Sequence, residues 1–363
     1  MLLPLFIFLA VVGANVIISV YLERKVSAFI QDRLGPMEVG KWGLLQLFAD
    51  LLKLLQKEDV IPYSADRKMF KAAPYVIFAA VFSGFAFLPI SNGLQGVNVQ
   101  TGVFLLLGLI ALDILGLLLA GYASNNKYAL LGAMRSAAQI ISFEIPLGLS
   151  ILCVCLISTT LNLQEMVMLQ GIFSPEANYF LGIKSLGWDT THIGGFLTWN
   201  IFRSPVLIPV FIIFFIAALA EANRAPFDLP EAESELIAGF QTEYAGFRWA
   251  ILFLAEYGMM LLMSFLAAIF FFGGWNTPFP NMGPVALADW TSGTPGTWSS
   301  NLWGAFWLFS KAYIGMLIQM WVRWSFPRIR VDQLMYLCWK VLTPFSLVLL
   351  GLSALWRIFM IYG

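Results

Sequence analysis

Cysteine and histidine are nearly missing from these 363 residues, which hold three of the first and one of the second. Cys153 and Cys155 stand close together in an apolar run and Cys338 is remote, so no four-cysteine iron–sulfur spacing can be assembled, and no histidine pair exists for a haem. His192, in a loop beside Gly194 and Gly195, cannot close a metal site alone and reads as a loop residue. No glycine-rich phosphate loop follows a strand. The chain is therefore expected to bind no metal or flavin, and any redox chemistry is expected on a partner. Charge is scarce as well, at 12% of residues, against about 25% in soluble domains. The 21 basic and 21 acidic residues cancel, leaving no electrostatic case for nucleic acid.

What is present is hydrocarbon. Hydrophobic residues make up 60% of the chain, and runs of the ~20 residues that a bilayer demands recur along its whole length. The expected fold is all-α, a single polytopic membrane domain over residues 1–363. About eight spans are predicted, near Leu2–Leu22, Ala72–Ile90, Gly102–Tyr122, Ser136–Ile157, Pro205–Ala222, Arg248–Phe272, Leu302–Trp324 and Leu337–Met360. The first stretch is too long for a signal-peptide core and lacks a basic leader, so it is read as a retained span. Pro146 removes a backbone donor from the fourth span and predicts a kink there.

Basic residues set the orientation. They crowd the first loop, from Arg24 to Lys71, and recur in the third (Lys127, Arg135), fifth (Arg224, Arg248) and seventh (Arg323, Arg328, Arg330). The second and sixth loops have none, which puts the odd loops in the cytoplasm and both termini outside. Within the first loop, residues 41–58 place Gln46, Asp50, Lys53 and Lys57 on one helical face. Leu44, Leu45, Leu47, Phe48, Leu51, Leu52 and Leu55 fill the other. That pattern predicts an interfacial amphipathic helix in contact with membrane lipids, either a plain anchor or the lining of a portal. Trp275, Trp298 and Trp303, in or beside the long sixth loop, are expected as aromatic anchors at the membrane edge.

Against this background the acids stand out. Asp113, Glu144, Glu221 and Glu256 lie in or at the lip of apolar segments, where a carboxylate costs roughly 2.5–3.5 kcal/mol even on the lenient insertion scale. Lys311 in the seventh span is a natural countercharge. Pairing would satisfy one acid; four acids point to a polar interior route for protons or ions. The acidic cytoplasmic loop, residues 222–247, adds Asp228, Glu231, Glu233, Glu235 and Glu243 against Arg224. Pro226 and Pro230 forbid a continuous helix there, while Phe227, Leu229, Leu236, Ile237, Phe240, Tyr244 and Phe247 interleave with the charges. The loop is either solvated or packed down with its carboxylates partly out of water. At the exit of the first span, Glu23-Arg24-Lys25 reads as snorkelling anchors, and Arg33 before Gly35-Pro36 puts a guanidinium at a sharp turn.

These same places resemble a known family. Glu23–Pro36, Gly43-Leu44-Leu45-Gln46 with Ala49-Asp50, Arg135 to Glu144, Glu221–Glu235, Ala255-Glu256-Tyr257 and Pro327-Arg328-Ile329-Arg330 are similar to signatures of the quinone-chamber membrane subunit of respiratory complex I, NADH:quinone oxidoreductase. The likeness spans nearly the whole chain. It implies a bacterial inner-membrane subunit of a proton-translocating enzyme that joins peripheral iron–sulfur and quinone-site subunits to the membrane arm. It also implies a lipid-soluble quinone, ubiquinone or menaquinone, as substrate. By motif, Arg24, Arg33 and Asp50 would line the quinone chamber. Asp228, Glu231, Glu233 and Glu235 would form a responsive loop, and Glu144, Glu221 and Glu256 would begin the proton path; Asp113 sits in a span with little signature. Met37-Glu38 and Lys41 depart from the expected Asn-Arg and proline, and Cys338 replaces a glycine. Two other readings stay open: a homologous subunit of an energy-converting hydrogenase, and an autonomous ion-coupled transporter, although no duplicated half is visible.

Overall fold

The computed structural model describes residues 2–175, 177–184, 187–191, 193–228, 238–281, 286–294 and 296–362, without the side chains of residues 2–9 and 12. His192, Glu231, Glu233 and Glu235 lie outside the described residues. The fold is helical nearly throughout. In chain order the helices are α1 (Leu2–Ile30), α2 (Gln46–Gln56), α3 (Arg67–Phe85), α4 (Gly102–Ile110), α5 (Leu112–Ala123), α6 (Lys127–Ser158), α7 (Leu163–Met168), α8 (Asn200–Arg203) and α9 (Leu207–Glu221). They continue with α10 (Gly246–Phe271), α11 (Leu287–Ser292), α12 (Trp298–Ser325), α13 (Val331–Tyr336) and α14 (Thr343–Tyr362).

Five helical stretches among the described residues are long and apolar enough to cross a membrane: Gly102–Ala123, Lys127–Ser158, Gly246–Phe271, Trp298–Ser325 and Val331–Tyr362. The apolar α9 is shorter, at 15 residues. The second expected span ends early. Its helix stops at Phe85, and Pro89–Ser91 pairs antiparallel with Leu94–Gln95 across Asn92-Gly93, a dipeptide suited to a tight hairpin. The third span is interrupted at Ala111, between α4 and α5. Pro146 sits inside α6, which is continuous as a helix from Lys127 to Ser158. The last span opens with α13, passes through a π-helical segment, Leu337–Leu342, and continues as α14. The wider π turn brings Cys338 Sγ to the Ser142 carbonyl oxygen, to which it donates at 2.9 Å.

Local chemistry sets the helix starts. Asp66 accepts from the backbone N–H groups of Lys68 and Met69 ahead of α3, and Asn126 from that of Tyr128 ahead of α6. The core is organised about α10, which is buried without interruption from Tyr257 to Phe271, as expected of a helix that is apolar all round. Around it pack α1, α3, α9 and α12, while α6 is held among α5, α9 and α14. One expected membrane-edge anchor is displaced by this packing. Trp275 is buried in the core, against the α12 turn at Gly304, whereas Trp298 and Trp303 are exposed.

Candidate functional site

Three features, one mainly apolar and two polar, lie among the helices that surround α10. The first is a cavity of about 670 Å³ bounded by α1, α2, α3 and α10. Val16, Ile17 and Val20 face it from α1, Leu47, Leu51 and Leu54 from α2, and Phe247, Trp249 and Phe253 from α10. Its few polar groups include Arg24 and Asp50, which form an ion pair, with Gln46 Nε2 donating to the other Asp50 oxygen at 3.2 Å. The α2 helix runs over Gln46–Gln56, preceded by a separate turn at Lys41–Gly43, so the amphipathic stretch of residues 41–58 is two elements. Leu47, Leu51 and Leu54 turn toward the cavity, while Phe48 and Leu52 are more than half exposed. Arg33 is exposed in the turn after α1 and does not line the cavity.

The second feature is a buried cluster of charge. Glu23 is 5% exposed and accepts from Arg224 Nη1 at 3.3 Å and from Arg323 Nη1. Arg224 reaches Glu256 Oε1 through Nε at 3.1 Å, and its guanidinium lies 4.2 Å from the centre of the Tyr257 ring. Burial works against the Arg224 cation, but Glu256 and Glu23 outweigh it and hold the group firmly protonated. Two carboxylates thus face two guanidinium groups, which is how buried charge is tolerated. At the margin Asp228 accepts from Arg328 Nη2 at 2.9 Å. Burial still pushes the Asp228 carboxyl above its ordinary range, although Arg328 pulls the other way.

Glu256 belongs to the third feature too. It lines a pocket of about 30 Å³ together with Asp113, Glu221, Asn223 and Gln241, space enough to hold a water. Asp113 Oδ1 and Glu221 Oε2 are buried with no hydrogen-bond partner among the described residues, the situation in which a buried carboxyl calls for a proton or a water. Gln139 crosses from α6 to donate to the Ala220 carbonyl at 2.9 Å and to Asn223 Oδ1 at 3.2 Å. Glu144, further along α6 and half-buried, is within electrostatic reach of Glu221.

Of the residues singled out from the sequence, Arg24 and Asp50 meet at the cavity, and Glu256 joins the ion-pair cluster to the pocket of Asp113 and Glu221. Among the described residues no acid pairs with Lys311 as its countercharge. The lysine ammonium donates to the carbonyl oxygens of Phe272, Gly274 and Asn276 at 2.7, 2.9 and 2.6 Å, in the turn that follows α10, where backbone carbonyls have no helical partner. Glu23 is no snorkelling anchor, and with Arg323 it is the residue that sequence reasoning missed. The signal was a helical stripe: Val16, Val20, Glu23 and Ser27 follow one another at spacings of three and four, and all are buried.

The family model described as NADH dehydrogenase matches residues 3–354. The chain is 57% identical to an H subunit of the NADH-quinone oxidoreductase of Cytophaga hutchinsonii, over 94% of each chain. It is 51% identical to the H subunit of the corresponding enzyme of Chlorobium luteolum, over 94% of this chain and 84% of that one. With the H subunit from a Geobacillus species it shares 43% identity, over 94% of this chain and 89% of the other.

Proposed function

The chain belongs to the NADH dehydrogenase family, and from that premise we propose that it is the multi-pass membrane subunit in which quinone reduction is linked to proton movement. In this reading the 670 Å³ cavity is the quinone chamber. Its apolar walls suit an isoprenoid tail, and the Arg24–Asp50 pair supplies polarity for a headgroup. The α2 helix lies in the membrane interface with its outer apolar side chains in lipid, and the odd loops, α2 among them, face the cytoplasm and the peripheral subunits. The chain spans the bilayer eight times, with α1, α3 and α9 joining the five apolar stretches from Gly102–Ala123 to Val331–Tyr362. Electrons stay on iron–sulfur partners, since cysteine and histidine are too few here to hold a centre.

One observation carries the reading: Glu256 is shared by the ion-pair cluster and the carboxylate pocket. A negative charge developing on a reduced quinone would draw on the Arg224 and Arg323 cations that Glu23 and Glu256 now share. Glu256 released from Arg224 would gain affinity for a proton, and Glu221 and Asp113, with room for a water beside them, are placed to supply it. Glu144 extends the series along α6, toward the membrane-arm subunits. Asp228, tied to Arg328 at the margin of the cluster, would transmit changes from the acidic loop; Glu231, Glu233 and Glu235 would contribute to the same response. Arg33 would act at the rim through its exposed guanidinium. The names of the relatives favour this assignment over a hydrogenase subunit or a solitary transporter.

The test is made on the assembled enzyme in sealed membranes carrying Glu144→Gln or Glu256→Gln. Proton translocation per NADH oxidised should fall several-fold in both. Unchanged quinone reduction together with unchanged translocation in both variants would remove these acids from the mechanism.

A further inference from the structure

We infer that the Asp59–Arg248 ion pair is a positioning clip that holds the exit of α2 against the start of α10 and thereby fixes the cavity wall along which a hydrocarbon tail lies. The inference rests on reading that cavity as a quinone chamber. The start of α10 contributes Phe247, Trp249 and Ala250 to the lining, and the end of α2 contributes Leu54 and Leu55. No residue of α2 is fully buried, so side-chain packing alone gives this helix little purchase.

The contacts that hold it are specific. Arg248 is 8% exposed and reaches Asp59 Oδ2 through Nη2 at 2.7 Å. Its guanidinium lies 5.6 Å from the centre of the Phe70 ring. Phe70 in turn stacks on Tyr244 with ring centres 4.2 Å apart and planes 1° from parallel. The Tyr244 hydroxyl donates to the Phe70 carbonyl at 3.3 Å. Arg248 is thus fixed on the α3 side by rings, and Asp59 is the one carboxylate that meets it among the described residues. Between them the two backbones touch: Gly246 has φ +59°, and a Cβ there would stand 3.0 Å from the Lys57 carbonyl oxygen. Arg24 and Asp50 take no part in this contact. The elements joined by the clip present mainly apolar side chains to the cavity, so its loss should be felt by the tail of a ligand more than by its head.

The experiment uses the whole enzyme and two quinones with one headgroup, the first carrying a short alkyl chain and the second a long isoprenoid chain. In Asp59→Asn the KM for the long-tailed quinone should rise about 3–10-fold, with kcat and the short-tailed KM within twofold of the native enzyme. Asp59→Glu should restore the native KM. Arg248→Lys, which keeps the charge beside Phe70 but loses the forked guanidinium, should show the same tail-dependent rise and serves if Asp59→Asn assembles poorly. An equal effect on both quinones, or none on either, overturns the clip. A long-tailed quinone with a photoreactive tail, applied to the native enzyme, separates the two readings. Labelling of α2 and α10 without a tail-dependent KM change in the variants rejects the clip alone. Absence of label from the cavity rejects the chamber itself.

Discussion

At Glu23 one carboxylate faces the guanidinium groups of Arg224 and Arg323. Glu23→Gln would leave those two cations with Glu256 as their remaining carboxylate in the cluster. Removing one member of a buried pair costs about 3–5 kcal/mol. Arg323 keeps some contact with solvent, so the lower end of that range is expected. A lowered thermal midpoint and reduced yield of the assembled enzyme would report it, and the double variant Glu23→Gln/Arg323→Gln should recover part of the loss. A single substitution with no effect on the midpoint would show that solvent, not Glu23, neutralises the cluster. The acids inside apolar runs, Asp113, Glu221 and Glu256, were legible in the sequence because hydrocarbon makes an isolated carboxylate costly. Glu23 was hidden by its neighbours, since a charge next to Arg24 and Lys25 at a helix exit looks solvated until the buried stripe below it is traced. Lys311 misled for the opposite reason. A cation in an apolar run invites an acidic partner, yet three carbonyl oxygens in the turn after α10 satisfy it.

Among the elements, α2 shows how far periodicity reaches. The leucine pattern identified a helix within residues 41–58, but the chain first turns at Lys41–Gly43, where Trp42 and Gly43 both have positive φ, and becomes helical only from Gln46. Periodicity also could not tell that this helix has two apolar uses, one toward the cavity and one outward. What brings it beside α10 includes a contact of backbone with backbone at Gly246, beside the Asp59–Arg248 pair, which no pattern of side chains announces. Gly246→Ala should therefore cost about 1–2 kcal/mol for the left-handed backbone alone, and more for the approach to the Lys57 carbonyl. The expected outcome is faster proteolysis of the α2 loop in the purified enzyme, with the α12 region unchanged. Native proteolysis kinetics at both places would mean that the two backbones part without consequence.

For the molecule as a whole, hydropathy marked helical stretches, five of which are long and apolar enough to cross a membrane among the described residues, and it overran the second helix, where Pro89 and Asn92-Gly93 turn the chain back. Which charged groups meet was not legible, because the partners are far apart in sequence: Arg224 lies 201 residues from Glu23, and Arg323 lies 300. The packing of α1, α2, α3 and α10 makes the cavity, and that of α3, α5, α9 and α10 the carboxylate pocket, with Arg323 of α12 completing the ion pairs between α1 and the chain after α9. That arrangement is the basis for the proposed link between quinone chemistry and proton transfer, and redox-induced infrared difference spectroscopy of the intact enzyme probes it most directly. Quinone reduction should produce a carboxyl C=O stretching change in the native enzyme that is lost or shifted in both Glu221→Gln and Glu256→Gln. Difference spectra identical to the native one in both variants would contradict the account.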